Sequence, residues 1–248
     1  MLIKENRLQK RMNFKLQWYE RLPSTNVFLK ERLVLEPELE SGTVIAAREQ
    51  TAGKGRRDRE WISSANENLT FSLLYKPDSI PWSIPSVSMA VAIAVAELLS
   101  LEGIEADLKW PNDVLVRGKK ICGILSEGAS EGIIIGIGLN VNMDETEQID
   151  QPATSMLIET GERRDVDALL KKLLIHLEIW LTQWQQGGFP QVRKVWEANV
   201  PNLGKMVSVR DGDSQRQGIL FGFGDSGELL LEEEGGVSAI WAGDVSTS

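Results

Sequence analysis

Apolar and polar positions along this chain change period several times, and each change marks an element. Residues 14–20 alternate apolar and polar, the pattern of a half-buried strand. Behind Pro23-Ser24-Thr25-Asn26 the apolar residues Val27, Phe28, Leu29 and Leu33 predict a helix that begins near Ser24 and stops before Pro37. Residues 43–47, behind Gly42, and residues 68–75 read as strands. The stretch 85–101 is nearly all apolar or small, with Pro85 at its start and Gly103 after its end, and predicts a helix buried on most sides. Residues 106–110 read as a strand ended by Pro111, because the residue before proline is held extended. A hairpin follows, with residues 114–116 and 121–125 flanking Arg117-Gly118-Lys119. Residues 132–141 form a central strand interrupted by glycines, and the polar stretch 144–164 a loop with a short helical turn. Residues 165–186 are an amphipathic helix, capped by Asp165 or Asp167 and stopped by Gly187-Gly188.

From Pro201 the texture changes. Short strands at 206–210, 218–223, 228–232 and 237–241, separated by glycine turns, predict a small β-barrel. The boundary falls near Val200, which divides the chain into a tail at 1–15 (frayed or a short helix), a main domain at 16–200 and a small domain at 201–248.

Composition narrows the classes. With 42% hydrophobic and 25% charged residues the chain is an ordinary globular protein, long enough for a sizeable core. A net charge of −9 argues against general nucleic-acid binding, which needs a basic surface. No apolar run approaches the roughly 20 residues of a membrane span, and the N-terminus lacks a signal peptide's apolar core. One cysteine and one histidine exclude an internal disulfide and a cysteine- or histidine-based metal cluster, so no protein-held metal site is expected. Cys122 and His176 read as packing residues, and a cytoplasmic location is expected.

Against that acidic background one loop stands apart. From Gly53 to Arg59 four cations (Lys54, Arg56, Arg57 and Arg59) face one anion, Asp58, a net +3. Concentrated cation next to two glycines, which let the backbone approach a ligand, suits the gripping of carboxylate or phosphate; an exposed, solvated hairpin tip is the bland alternative. Lys109 lies within an apolar strand, where burial calls for an anionic partner unless the strand is an edge from which it reaches solvent. Gly136 and Gly138, two apart in a strand, mark either a ligand lying on the sheet or a bulge. Ser24-Thr25-Asn26 taken alone is a helix cap, Asn112-Asp113 a turn, and Trp61 a core anchor. A dinucleotide fingerprint is ruled out because Asp58 stands where its third glycine would fall, and no phosphate-loop motif or persuasive Ser–His–Asp set is present.

Taken together, Ser24-Thr25-Asn26, the loop Gln50 to Trp61, Lys109-Trp110-Pro111-Asn112-Asp113, Lys120 to Leu125 and Gly136-Ile137-Gly138-Leu139-Asn140 resemble the biotin–protein ligases in order and spacing, over about residues 16–245. The resemblance implies an α+β fold: a mixed sheet flanked by helices, like class II aminoacyl-tRNA synthetases, followed by an SH3-like β-barrel. It implies that biotin and ATP, with magnesium (Mg2+), give biotinyl-5′-AMP, and that a lysine of the biotin carboxyl carrier protein of acetyl-CoA carboxylase is then biotinylated. Carried over by motif, Arg56 and Lys109 are the catalytic cations, and Ser24, Thr25, Gln50 and neighbouring Asn26 meet the ureido ring. Gly53, Lys54 and Gly55 lie on the ligand, with Gly136 and Gly138 as the floor under biotin. Arg57, Arg59, Trp61, Asn112, Lys120 and Asn140 fall at the nucleotide end.

Two positions depart from the family pattern: Lys54 stands where arginine is usual and Asp58 where glycine is usual, which bears on affinity and loop closure. The rival readings are a lipoate- or octanoate-transferring enzyme of the related fold and a non-catalytic biotin-binding module. Fewer than about 20 residues precede the first matched strand, too few for a helix-turn-helix, so no DNA partner is expected. A homodimer is compatible with the sequence, through an edge strand such as residues 133–141.

Overall fold

The computed structural model describes residues 12–247 except 64, 79–83, 131, 147–148 and 150, and only the backbone of 58 and 247. The larger part of the expected tail therefore lies outside the described residues. In chain order the elements are β1 (Lys15–Leu22), α1 (Thr25–Leu35), β2 (Thr43–Gln50), β3 (Gly53–Lys54), β4 (Glu60–Trp61), β5 (Asn68–Tyr75), α2 (Val87–Leu101), β6 (Asp107–Lys109), β7 (Asp113–Val116), β8 (Lys119–Ala129), β9 (Gly132–Asn140), α3 (Met156–Thr160), α4 (Val166–Gln185) and α5 (Arg193–Ala198). The C-terminal strands are β10 (Met206–Asp211), β11 (Ser214–Phe223), β12 (Leu229–Glu233), β13 (Gly236–Ile240) and β14 (Asp244–Thr247).

Seven strands make one mixed sheet in the order β1-β2-β5-β9-β8-β7-β6. Only β1 and β2 pair in parallel, joined by the crossover helix α1. Strand parity divides the sheet's side chains between two faces. On one face, Phe71, Leu73 and Tyr75 of β5 and Ile133, Ile135, Ile137 and Leu139 of β9 join the main core beneath α2 and α4. On the other, Ile45, Ala47, Leu74 and Ile134 pack under Leu29 and Leu33 of α1. That second face becomes polar and glycine-rich along its length, through Thr70, Ser72, Gly136 and Gly138. The change leaves a hollow beside α1.

The stretch Ile84–Leu101 has the length and composition of a membrane span, with mean hydropathy 1.9, an exception to the reading that no apolar run is long enough. Its apolarity has an internal use: Val87, Ala90, Val91, Ala94 and Leu98 are fully buried in the main core, against α4 and the sheet. In α4 the residues Leu169, Leu170, Leu173, Leu177, Trp180, Leu181 and Trp184 recur at helical spacing, and Asp165 caps the helix by accepting from Asp167 N (2.9 Å) and Ala168 N (3.2 Å). Strand β9 is hydrogen-bonded on both sides, so residues 133–141 are no edge; the edges are β1 and β6. The homodimer route suggested for that strand is withdrawn, because its backbone groups are already paired.

The five C-terminal strands form an antiparallel sheet in the order β13-β12-β11-β10-β14. Its apolar residues do not close a separate core. Val207, Val209, Leu220, Phe223, Leu229 and Leu231 belong to the same cluster as α2 and α5. Phe223 meets Trp196 edge-on at 6.0 Å and Phe189 at 6.2 Å, and Trp110 Nε1 donates to the Gly227 carbonyl at 2.9 Å. Four elements were absent from the sequence reading: α5, whose start has no capping side chain, the two-residue pair β3–β4, and β14. Trp196 is completely buried at this joint. Trp196→Ala is expected to lower the unfolding free energy in urea by about 3–5 kcal/mol. Both halves should unfold in one transition; two separated transitions would show independent cores.

Candidate active site

The hollow beside α1 is a cleft with about 750 Å³ of non-atom space, part of it open to solvent. Of the residues predicted for the site it gathers Ser24, Thr25, Asn26, Gln50, Lys54, Gly55, Arg56, Arg57, Arg59, Trp61, Asn112, Lys120, Gly136 and Gly138. Gly53, Lys109 and Asn140 lie outside the lining. The cleft adds Asp113, Gly123, Leu125, Gln151 and Asp244, which sequence reasoning did not assign to a ligand. Their spacing carried no signal; they arrive through sheet register and through the C-terminal sheet.

One end is neutral and polar. Thr25, first residue of α1, donates its backbone N–H to Gln50 Oε1 at the end of β2 (2.8 Å), and its hydroxyl oxygen lies 3.0 Å from the same atom. Gln50 N in turn accepts placement from Ser63, donating to its Oγ at 3.1 Å. Ser24 sits at the N-cap position but makes no side-chain cap hydrogen bond, so its hydroxyl is not committed to the helix. Sheet register explains the glycines. Gly123 of β8 and Gly138 of β9 are direct partners, and the Trp61 indole lies over both; a Cβ at Gly138 would overlap the ring. A Cβ at Gly136 would overlap the Asn26 amide. In this structure these glycines receive the protein's own side chains. The Trp61 Nε1 is buried without a hydrogen-bond partner among the described residues.

The other end is cationic. Gly55 N donates to Arg59 O at 2.7 Å, closing the basic loop, and the left-handed residue is Arg57 (φ 55°). The conformation a glycine favours thus falls beside Asp58, on an arginine. Arg56 turns inward, donating from Nη1 to Asn112 Oδ1 at 3.1 Å, while Asn112 Nδ2 donates to the Ile124 carbonyl at 2.6 Å. Burial first, then the neighbouring Arg57, pushes the Arg56 guanidinium below its ordinary value, so the loop holds a partly desolvated cation that an anion would relieve. Lys120 Nζ lies 2.7 Å from Asp113 Oδ1 and 5.9 Å from the centre of the Trp61 ring.

Arg57 and Arg59 turn outward instead. Arg57 pairs with Asp211 at 2.7 Å, and Arg59 with Asp244, so the C-terminal sheet holds the loop. Lys109 ends the edge strand β6, half-buried, directly opposite Asp113. Directly opposed residues share a sheet face, so Lys109 stands one strand beyond the lining. Asn140 donates from Nδ2 to Thr154 O at 3.0 Å, and its Oδ1 is buried without a partner among the described residues. Cys122 is completely buried and its thiol is pushed far up by desolvation, which fits a packing role. His176 pairs with Glu97 at 3.1 Å, in contact with α2 and away from the cleft.

The cleft thus joins uncharged polar groups to half-buried and exposed cations on a mixed sheet. The model of the biotin/lipoate A/B protein ligase family matches residues 18–144, and the chain belongs to that family. Within it, the chain is 34% identical over 237 residues to a biotin–[acetyl-CoA-carboxylase] ligase of Paracoccus denitrificans, covering 91% of this chain and 97% of that protein. It is 33% identical to the bifunctional ligase/repressor BirA of Bacillus spizizenii over 82% of this chain, and spans 66% of that protein's length. Among solved structures, the biotin protein ligase from Aquifex aeolicus in complex with biotin and ATP superposes with a TM-score of 0.81 at 32% identity, covering 93% of this chain and 97% of that one.

The loop's attachment to the C-terminal sheet gives a test. Asp244→Asn weakens the grip on Arg57 and Arg59, and trypsin cleavage after those residues should accelerate about five-fold, as should cleavage of the unsubstituted protein in high salt. An unchanged cleavage rate would mean that the loop is held by other contacts.

Proposed function

We propose that this protein is a biotin–protein ligase. Biotin's carboxylate oxygen attacks the α-phosphorus of ATP, expelling pyrophosphate and leaving the mixed anhydride biotinyl-5′-AMP. A lysine amine of the biotin carboxyl carrier protein of acetyl-CoA carboxylase then attacks the acyl carbon, loses a proton, and AMP departs. The observation that supports this reading is the single cleft that sets Thr25 and Gln50 at one end and Arg56 and Lys120 at the other. Uniting two anions requires fixed positive charge in a water-poor site. Asn112 holds Arg56 ready for that task without rearrangement.

The neutral end takes the ureido ring, with Ser24, Thr25, Gln50 and Asn26 around it. Lys54 and Gly55 close over the intermediate, and Gly53 allows their strand to cross Trp61. Trp61 lifts from Gly138 to admit the ligand and then flanks it. Lys120 faces the phosphates, Arg57 and Arg59 join it by leaving Asp211 and Asp244, and Asn140 lies at the nucleotide end, where its uncommitted carbonyl accepts a hydrogen bond. Lys109 reaches the reacting groups from the edge strand. Magnesium enters on the nucleotide: no group of three or more potential Asp, Glu, His or Cys ligands is found among the described residues.

Pyrophosphate release from ATP and magnesium should depend on biotin, and turnover should continue only when carrier protein is added. Release that depends on lipoate in place of biotin would move the protein to the other branch of its family; biotin binding without release would leave a binding module. Lys109→Ala is expected to slow adenylation about a hundred-fold, with transfer from preformed adenylate much less affected. If transfer alone slowed, the role given to Lys109 would be wrong. Arg56→Gly should retain biotin binding and lose the adenylate early, seen as biotinyl-5′-AMP free in solution.

A further inference from the structure

Behind the neutral end of the cleft, side chains from α1, β5 and β8 form a continuous hydrogen-bonded relay. Asn26 Nδ2 donates to Glu127 Oε2 at 2.9 Å and to the Leu125 carbonyl at 3.3 Å. Asn26 Oδ1 accepts from Ser72 Oγ at 2.6 Å, and Ser72 Oγ lies 2.7 Å from Thr25 Oγ1. Asn26, Ser72 and Thr25 are all buried, whereas Glu127 is half-exposed, absent from the cleft lining, and 3.8 Å from Lys30. Gly136 is the position whose missing Cβ makes room for Asn26.

Counting hydrogens fixes the direction of this relay. A carboxylate and a backbone carbonyl can only accept, so the Asn26 NH2 must face Glu127 and Leu125, and its oxygen must face Ser72. Ser72 owns one hydroxyl hydrogen, and the Asn26 oxygen takes it. The short contact between the two hydroxyls is then closed by the Thr25 hydrogen. Gln50 Oε1 stays satisfied by the Thr25 backbone N–H at 2.8 Å. Thr25 Oγ1, with its hydrogen spent inward, meets a ligand as an acceptor.

We propose, resting on the biotin reading above, that Glu127 is a positioning residue for substrate specificity. Its carboxylate sets the polarity of the relay from outside the pocket, so that Thr25 selects a ring bearing an N–H donor. A cyclic urea supplies that donor; a dithiolane ring, with sulfur and C–H only, leaves Thr25 unpaired. Without the carboxylate, Asn26 is free to turn over, and a turned amide reverses each hydroxyl in sequence. The Thr25 hydrogen is then shared between Gln50 Oε1, 3.0 Å away, and the ligand, and Ser72 takes one of the Thr25 lone pairs, so the acceptor that met the ligand N–H is weakened.

The test compares Glu127→Leu and Glu127→Gln with the unsubstituted enzyme, reading KM for biotin and for ATP together with kcat in biotin-dependent pyrophosphate release. Glu127→Leu should raise the biotin KM about ten-fold, with the ATP KM and kcat within two-fold. Glu127→Gln, whose amide oxygen still accepts from Asn26, should recover the biotin KM. Asn26→Ala raises the biotin KM by itself, and adding Glu127→Leu to it should change little, since the carboxylate acts through that amide. An unchanged biotin KM in Glu127→Leu, equal rises in both KM values, or fully additive effects of the two substitutions would overturn the proposal. Absence of biotin-dependent release in the unsubstituted protein would instead remove the ligase reading beneath it, and is seen before any variant is made.

Discussion

One face of a β-sheet runs out of side chains at Gly123, Gly136 and Gly138, and the site depends on that. Upstream on the same face, Ile134 packs under α1 as ordinary core. Two residues further along β9 a Cβ would overlap Asn26, and two further it would overlap Trp61. Alternation on the opposite face continues without interruption, so Ile135, Ile137 and Leu139 keep the strand anchored while its other side is emptied. The sheet is thereby rigid core and cleft floor at once, and a site on such an element is held more firmly than one built on loops.

Around this floor the two ends of the cleft are held by different means. The neutral end rests on short, buried hydrogen bonds among Thr25, Gln50, Ser72 and Asn26, which salt does not screen. The cationic end rests on a loop whose inward arginine is fixed by Asn112 and whose outward arginines are fixed by Asp211 and Asp244. Exposed ion pairs of that kind are individually weak, so the loop has a firm inner contact and a loose outer one. Its attachment points lie on the C-terminal sheet, whose residues Val207 and Phe223 share the main core. The small sheet is therefore part of the architecture that places the loop.

Much of this was legible in the chain. The strand at Asn68–Tyr75 falls where its apolar run predicts, and α4 and its Asp165 cap follow from helical spacing and a single acidic residue. The cluster of four cations beside two glycines was also legible, although taken alone it fits a solvated hairpin tip as well as an anion grip. What escaped were elements without local punctuation: α5 begins at Arg193 behind Val192, which offers no capping side chain, and β3 and β4 are two residues each. The glycines read as the place of a ligand or a bulge, and the neighbours that approach them in this structure are the side chains of Asn26 and Trp61.

Sequence by itself determined which residues carry charge, which segments alternate and which positions lack a Cβ, because those are properties of neighbours along the chain. Tertiary structure decided what meets what. Glu127 reaches Asn26 across 101 positions, and Asp244 reaches Arg59 across 185. Lys109, prominent in its motif, falls on an edge strand one strand beyond the lining, while Asp113, read only as a turn residue, and the unremarked Asp244 fall inside it. Hydrogen-bond polarity and ion-pair choice depend on atoms within about 3 Å of each other. Only the pairing register of β8 with β9 and the seating of the C-terminal sheet bring those atoms together.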